Sequence, residues 1–200
     1  MTTVNRKAAF LHVIDDHRWL AASGCAWRLV GADAVNGTKT EADRLLPNID
    51  VMIRDCLLLH ARSLIKFYRN NGPKKTDILL RDFGISINPS LEVKLERYEK
   101  PIKVHLLHLT DWRDCEYRDL HSTDDGAKRF RPDWNRDAIP IIDLIFEALN
   151  YVSEQTGPWQ QPFRGLYDAS TARYRGKLSA WPTNLCEKSD VEQYLTGLGL

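Results

Sequence analysis

The sequence predicts an all-α fold, a helical bundle of about five helices with an extended aromatic-rich C-terminal segment. Three observations carry this. Apolar residues recur at steps of three and four over long windows, the period of a helix with one buried face. Gly, Pro and Asn clusters fall between those windows and stop them. Only residues 85–87 admit a strand. With 200 residues, of which 43% are hydrophobic, the chain suits one domain with a sizeable core.

The elements follow in order. Residues 7–35 place Phe10, Val13, Ile14 and His17 on one helical face, with Gly24 expected to end or bend the element. Residues 31–40 read as a loop, because Gly31, Asn36 and Gly37 supply turn chemistry. The clearest helix covers 48–70, with Pro47 marking a start or a kink. Ile49, Met52, Ile53, Cys56, His60, Leu64 and Phe67 form its expected buried face, widened by Leu57, Leu58, Leu59 and Ile65. Asn70 through Pro73 stop it. A connection over 74–90 holds a short helical piece near Asp77–Phe83. A new helix enters at Asn88, Pro89 or Ser90.

There Leu91, Leu95, Tyr98, Ile102, His105, Leu109 and Trp112 keep one stripe in phase across Pro101. That means one kinked helix or two nearly collinear ones. Polar residues 119–137 read as a loop, and a last long helix covers 137–155. Its core face carries Ile139, Ile142, Phe146, Leu149 and Val152. Residues 158–200 form the extension: aromatic residues between prolines, packed over the bundle of 1–157 in the same domain. A short helix at Val191–Leu195 closes it.

Composition excludes several function classes. The net charge is +1, so a global basic field is absent and nucleic-acid affinity has to come from a local patch. Cys25, Cys56, Cys115 and Cys186 form no CxxC pair, and reduced thiols are expected. No Walker loop, GxGxxG, GxSxG or HExxH is present. No stretch approaches the ~20 apolar residues that span a bilayer, and Met1–Phe10 holds no export signal, so the reading is cytoplasmic with no membrane partner.

Three features could carry chemistry. The first is Arg54, Asp55 and His60 on the central helix. An imidazole can exchange a proton with a ribose hydroxyl while a guanidinium grips the phosphate, which needs no metal. The alternative is a core histidine and a solvated arginine. His60 and Arg62 project about 200° apart, so they cannot serve one pocket directly. The second is His105 and His108, which share a helix side; they either ligate a metal or hold neighbouring helices, and the glutamates expected on facing helices are missing. No metal site and no cofactor are assigned. The third is a set of cations among aromatics, Arg164 to Lys177 and Lys128 to Arg131. These can stack bases and hold phosphates, or can snorkel over the core.

The run Leu57 to Phe67 (LLLHARSLIKF) resembles a set of uncharacterised bacterial helical proteins with an LLxHxRxLxxF helix. Their pattern continues with an Asp-Phe pair and a His-Leu-Thr segment ending near an Arg, here Asp82-Phe83, His108-Leu109-Thr110 and Arg113. Arg54, Asp55 and His60 also resemble the HEPN motif, in which an Arg and a polar residue precede a His on one helix. In HEPN domains the motif lies on a late helix, and here it falls in the first third. The HEPN resemblance implies a helical, often dimeric domain with metal-independent RNase activity or RNA binding in a toxin–antitoxin or defence system. Arg54 and His60 would be catalytic, with Arg62, His108 and Arg113 as binding residues. The implied partners are RNA, a second copy or a cognate protein. A non-catalytic helical interaction or scaffold protein is the competing expectation.

Overall fold

A computed structural model describes residues 3–35, 49–70, 78–110, 134–177 and 181–200. Among them are six α-helices and no strand: α1 Thr3–Val35, α2 Ile49–Arg69, α3 Pro89–Thr110, α4 Trp134–Glu154, α5 Gln160–Tyr174 and α6 Lys188–Gly197. The all-α expectation holds. Residues 85–88 are irregular, so the strand admitted at 85–87 is not formed.

α1 packs along α2 and also meets α4, α5 and α6; α3 lies against α2 and α4. Ring contacts tie the layers together. Phe10 of α1, Phe67 of α2, Phe83, Trp159 and Phe163 of α5 stack edge to face or tilted, from 4.8 Å (Phe83–Trp159) to 6.4 Å (Phe67–Phe163) between centroids. Such geometry suits ring quadrupoles and adds to the area that the rings bury.

Local chemistry explains the boundaries. Asn70 ends α2 at φ +56°, a left-handed position that its short polar side chain tolerates. Its Oδ1 then accepts from the Arg81 amide at 2.7 Å, holding the 3₁₀ turn Leu80–Phe83 against the helix end. The Asp82 carboxylate accepts from the Leu79 amide at 3.0 Å and closes that turn. Asn88 Oδ1 accepts from the Ser90 amide at 2.8 Å and starts α3. α3 runs through Pro101 as one helix.

Two expectations about α1 and one about the C-terminus are corrected. Gly24 does not end α1; it lies inside a helix that continues to Val35. A Cβ there would stand 2.6 Å from Ile142 Cδ1 and 3.1 Å from the Tyr174 ring, so the glycine lets α4 and α5 approach closely. Of the loop expected at 31–40, residues 31–35 are helical and 36–40 lie outside the described residues.

The C-terminal segment is not extended. Residues 160–174 form α5, which buries Phe163, Leu166, Ala169, Ser170 and Tyr174, a helical stripe hidden among prolines and charges. Pro162 sits in the first turn, where no amide bond is lost. Beyond it the Trp181 indole donates to Leu185 O at 2.9 Å, and α6 covers Val191 and Leu195, containing the short helix expected there. α4 begins at Trp134, earlier than the expected 137.

The buried face of α2 agrees with expectation at Leu57, Leu58, Leu64, Ile65 and Phe67 and departs from it elsewhere. Leu57, Leu58, Ala61, Leu64, Ile65, Phe67 and Tyr68 are buried, whereas Met52 is 69% and Leu59 53% exposed. Ala61 and Tyr68 complete a second stripe at helical spacing, and Tyr68 meets His17 of α1. His60 and Cys56 therefore lie at the edge of the core and not at its centre.

Candidate functional site

The α2 edge that faces α1 presents His60. Its Nδ1–H donates to Asp16 Oδ1 at 2.8 Å, and the Ser63 hydroxyl donates to Asp16 Oδ2 at 2.6 Å. One α1 carboxylate thus joins two α2 side chains that lie nearly one turn apart. The indole of Trp19, 55% exposed, lies almost parallel to the imidazole, 6.2 Å between centroids and 14° between planes. Cys56, four residues before His60, lies on the same side of α2. The His60 side chain is 18% exposed, so solvent reaches it.

Electrostatics set its charge. Burial disfavours the imidazolium, but the hydrogen bond to Asp16 and the Asp16 charge, with the Cys56 sulfur contributing, outweigh it and raise the pKa to about 9. At neutral pH this ring is a cation, oriented by a carboxylate. Such a group can donate a proton or hold an anion.

Arg54 lies on the same helix but turns toward α3. Its Nε–H donates to Asp55 Oδ1 at 3.3 Å, and the same oxygen accepts from His105 Nε2 at 2.9 Å. His105 packs against Trp134 of α4, 5.2 Å between ring centroids. α2 thus carries two histidine–carboxylate pairs, His60–Asp16 toward α1 and Asp55–His105 toward α3. Arg54 belongs to the second pair and His60 to the first. Arg62 is half-buried, and its Nε has no hydrogen-bond partner among the described residues. His108 is in the last turns of α3, with its side chain outside the described part, and Arg113 lies outside the described residues. Among the described residues, no three His, Cys, Asp or Glu side chains gather as metal ligands would.

A second histidine contrasts with His60. His17 of α1 is fully buried, shares a 2.8 Å hydrogen bond with the Tyr68 hydroxyl and stacks on Phe146. Burial drives its pKa down to about 3 against the pull of the nearby Asp16 charge. Its neutral ring is part of the core, as its place on the α1 apolar face suggested. Burial likewise holds the Tyr68 hydroxyl protonated well above its ordinary range.

Sequence reasoning missed Asp16, Ser63 and Trp19, which build the His60 surroundings. Asp16 immediately precedes His17 on α1, and no spacing within one element shows that α1 and α2 align there. Compared with protein-family models, curated proteins and solved structures, the chain matches none of them. No described helix is long and apolar enough to cross a membrane.

Proposed function

We propose that this chain is a HEPN-like helical protein that binds RNA along the α1–α2 face and cleaves it without metal at His60. The observation that carries this reading is the partly exposed His60 ring, held by Asp16 beneath the exposed Trp19 indole. The indole offers a stacking surface for a base. The 2′-hydroxyl, losing its proton to water, attacks the phosphorus, the P–O5′ bond breaks, and the imidazolium gives its proton to the leaving 5′-oxygen. Arg54 is directed toward α3 and paired with Asp55, so under this reading it would have to leave Asp55 to hold a phosphate beside His60.

The test is incubation of the purified protein with oligoribonucleotides in EDTA. Retention and cleavage to 2′,3′-cyclic phosphate ends are expected, with the deoxy analogue left intact. His60→Ala abolishes cleavage while far-ultraviolet circular dichroism stays unchanged. Uncut and unbound RNA refutes the reading.

Two observations favour a second reading, a non-catalytic helical interaction protein. Arg54 is paired with Asp55, and Met52 and Leu59 stand exposed on the outer face of α2. Under that reading His60→Ala leaves RNA behaviour unchanged, and Met52→Ser with Leu59→Ser changes the sedimentation coefficient of the wild-type assembly.

A further inference from the structure

α2 takes part in a histidine–carboxylate pair on each flank, and each pair stands beside a tryptophan. Toward α1 these are His60, Asp16 and Trp19; toward α3 and α4 they are His105, Asp55 and Trp134. The His105 side chain is 21% exposed against 18% for His60, so solvent reaches both rings. The second centre also holds a guanidinium. Arg54 Nε–H donates to Asp55 Oδ1 at 3.3 Å, and His105 Nε2 shares the same oxygen at 2.9 Å. One carboxylate oxygen thus ties each group by a single nitrogen. Among the described residues, the two terminal amino groups of Arg54 and Nδ1 of His105 have no hydrogen-bond partner. With His105 protonated, two cations face one carboxylate, and the trio carries one net positive charge.

We propose that Arg54, His105 and Trp134 form a second nucleotide subsite, which holds an RNA phosphate other than the one cut at His60 and stacks a base beside it. The inference rests on the RNA reading, and it leaves Arg54 paired with Asp55. A guanidinium fixed through Nε presents its two amino groups as a fork that matches two phosphate oxygens. His105, when protonated, adds a donor from Nδ1 to the same anion. The half-buried Trp134 indole, 5.2 Å from the imidazole between centroids, offers a base its stacking face. Asp55 is the positioning residue here, as Asp16 is at His60. Helix geometry separates the two centres. Asp55 and His60 are five residues apart, a rise of ~7.5 Å and a rotation of about 140°. Across a helix ~11 Å wide this puts them on the order of 13 Å apart. A dinucleoside monophosphate has one phosphate and fills only the His60 centre, whereas a hexaribonucleotide reaches both.

The experiment compares a dinucleoside monophosphate with a hexaribonucleotide in EDTA, using the full chain and its Trp134→Leu, Trp134→Phe and His105→Gln variants. Trp134→Leu and His105→Gln should each raise KM and Kd for the hexamer about tenfold and leave its kcat in place. The dinucleotide constants should move by less than about twofold, a split that a merely structural role would not produce. Trp134→Phe keeps a stacking ring and should restore most of the hexamer affinity. Circular dichroism identifies the folded variants, and either position suffices if the other fails to fold. Hexamer constants unchanged in a folded Trp134→Leu or His105→Gln protein would overturn the proposal. So would an equal loss on both substrates. If the wild type cuts neither, the His60 reading falls, and hexamer binding alone judges the subsite. A tenfold loss in the folded variants then upholds it, and no binding or an unchanged Kd overturns it.

Discussion

The two histidines of opposite character predict a stability profile that peaks near pH 6.5. His60 has a folded pKa of about 9 against 6.5 for the unfolded chain. Below 6.5 both states carry the proton, and the His60 contribution is fully present. Between 6.5 and about 9 only the folded state holds it, so stability falls as pH rises, with a slope of at most ~1.4 kcal/mol per pH unit. Integrated over that window the ceiling is about 3 kcal/mol, and partial solvation of the ring reduces it to roughly 1–2 kcal/mol.

His17 acts on the other side. Its folded pKa of about 3 lies below the unfolded value of 6.5. The unfolded chain therefore takes up a proton that the folded core refuses, and stability falls as pH drops below 6.5, again by up to ~1.4 kcal/mol per unit. Urea unfolding midpoints at fixed pH, with the denaturant slope held common, measure both limbs. His60→Gln should flatten the limb above 6.5 and leave the acid limb. His17→Gln should flatten the limb between about 5 and 6.5, above the range in which ordinary carboxylates titrate. The slopes are the readout, so an overall loss of stability in either variant does not obscure the result. An alkaline limb that persists in His60→Gln, or a flat wild-type profile from 6.5 to 9, would refute the assignment.

Three further outcomes are expected. Gly24→Ala should lower the thermal midpoint although alanine favours helix by ~1 kcal/mol, because its Cβ meets Ile142 and Tyr174; a net cost of about 1–2 kcal/mol follows, and Ile142→Val in the same chain recovers part of it. Arg69 is buried at the α2–α3 contact between Glu96, 2.9 Å away, and Glu99, so Arg69→Met should cost about 2 kcal/mol in urea unfolding, and adding Glu99→Gln should restore some of it. Trp19→Ala should leave stability within about 0.5 kcal/mol, since the indole is exposed, yet weaken oligoribonucleotide binding about tenfold in a filter assay.

The helices most legible in the sequence were those with one apolar stripe and clear stops. α3 shows Leu91, Leu95 and Ile102 buried as the spacing indicates, and α4 does the same with Ile142, Phe146, Leu149 and Val152. α5 was hidden because its stripe is short and begins among Pro158 and Pro162, which read as extended chain. In the structure Pro162 occupies the first turn, where a proline costs nothing, and Phe163 and Leu166 then fill the aromatic cluster. Gly24 misled for a related reason. A glycine signals a helix end only when no neighbouring helix needs the space, and Ile142 does need it.

The site was less legible, and α2 shows why. Two overlapping stripes run along it, one through Met52, Cys56 and His60 and the other through Leu57, Ala61, Leu64 and Tyr68. Apolar count alone does not choose between them. The choice falls to α1, which offers Phe10, Ile14 and His17 as a complementary apolar face. Burying the second stripe against that face leaves the first at the margin, where Asp16 can reach His60 and water can reach both. Had the first stripe been buried, His60 would have met the same desolvation that holds His17 neutral. The two stripes lie about 100° apart around α2, so which of them is buried decides whether position 60 carries a core imidazole or a charged, carboxylate-held one. Ala61, inside the Leu57–Phe67 run, and Tyr68, just beyond it, are both fully buried on the second stripe, and that places His60 at its margin.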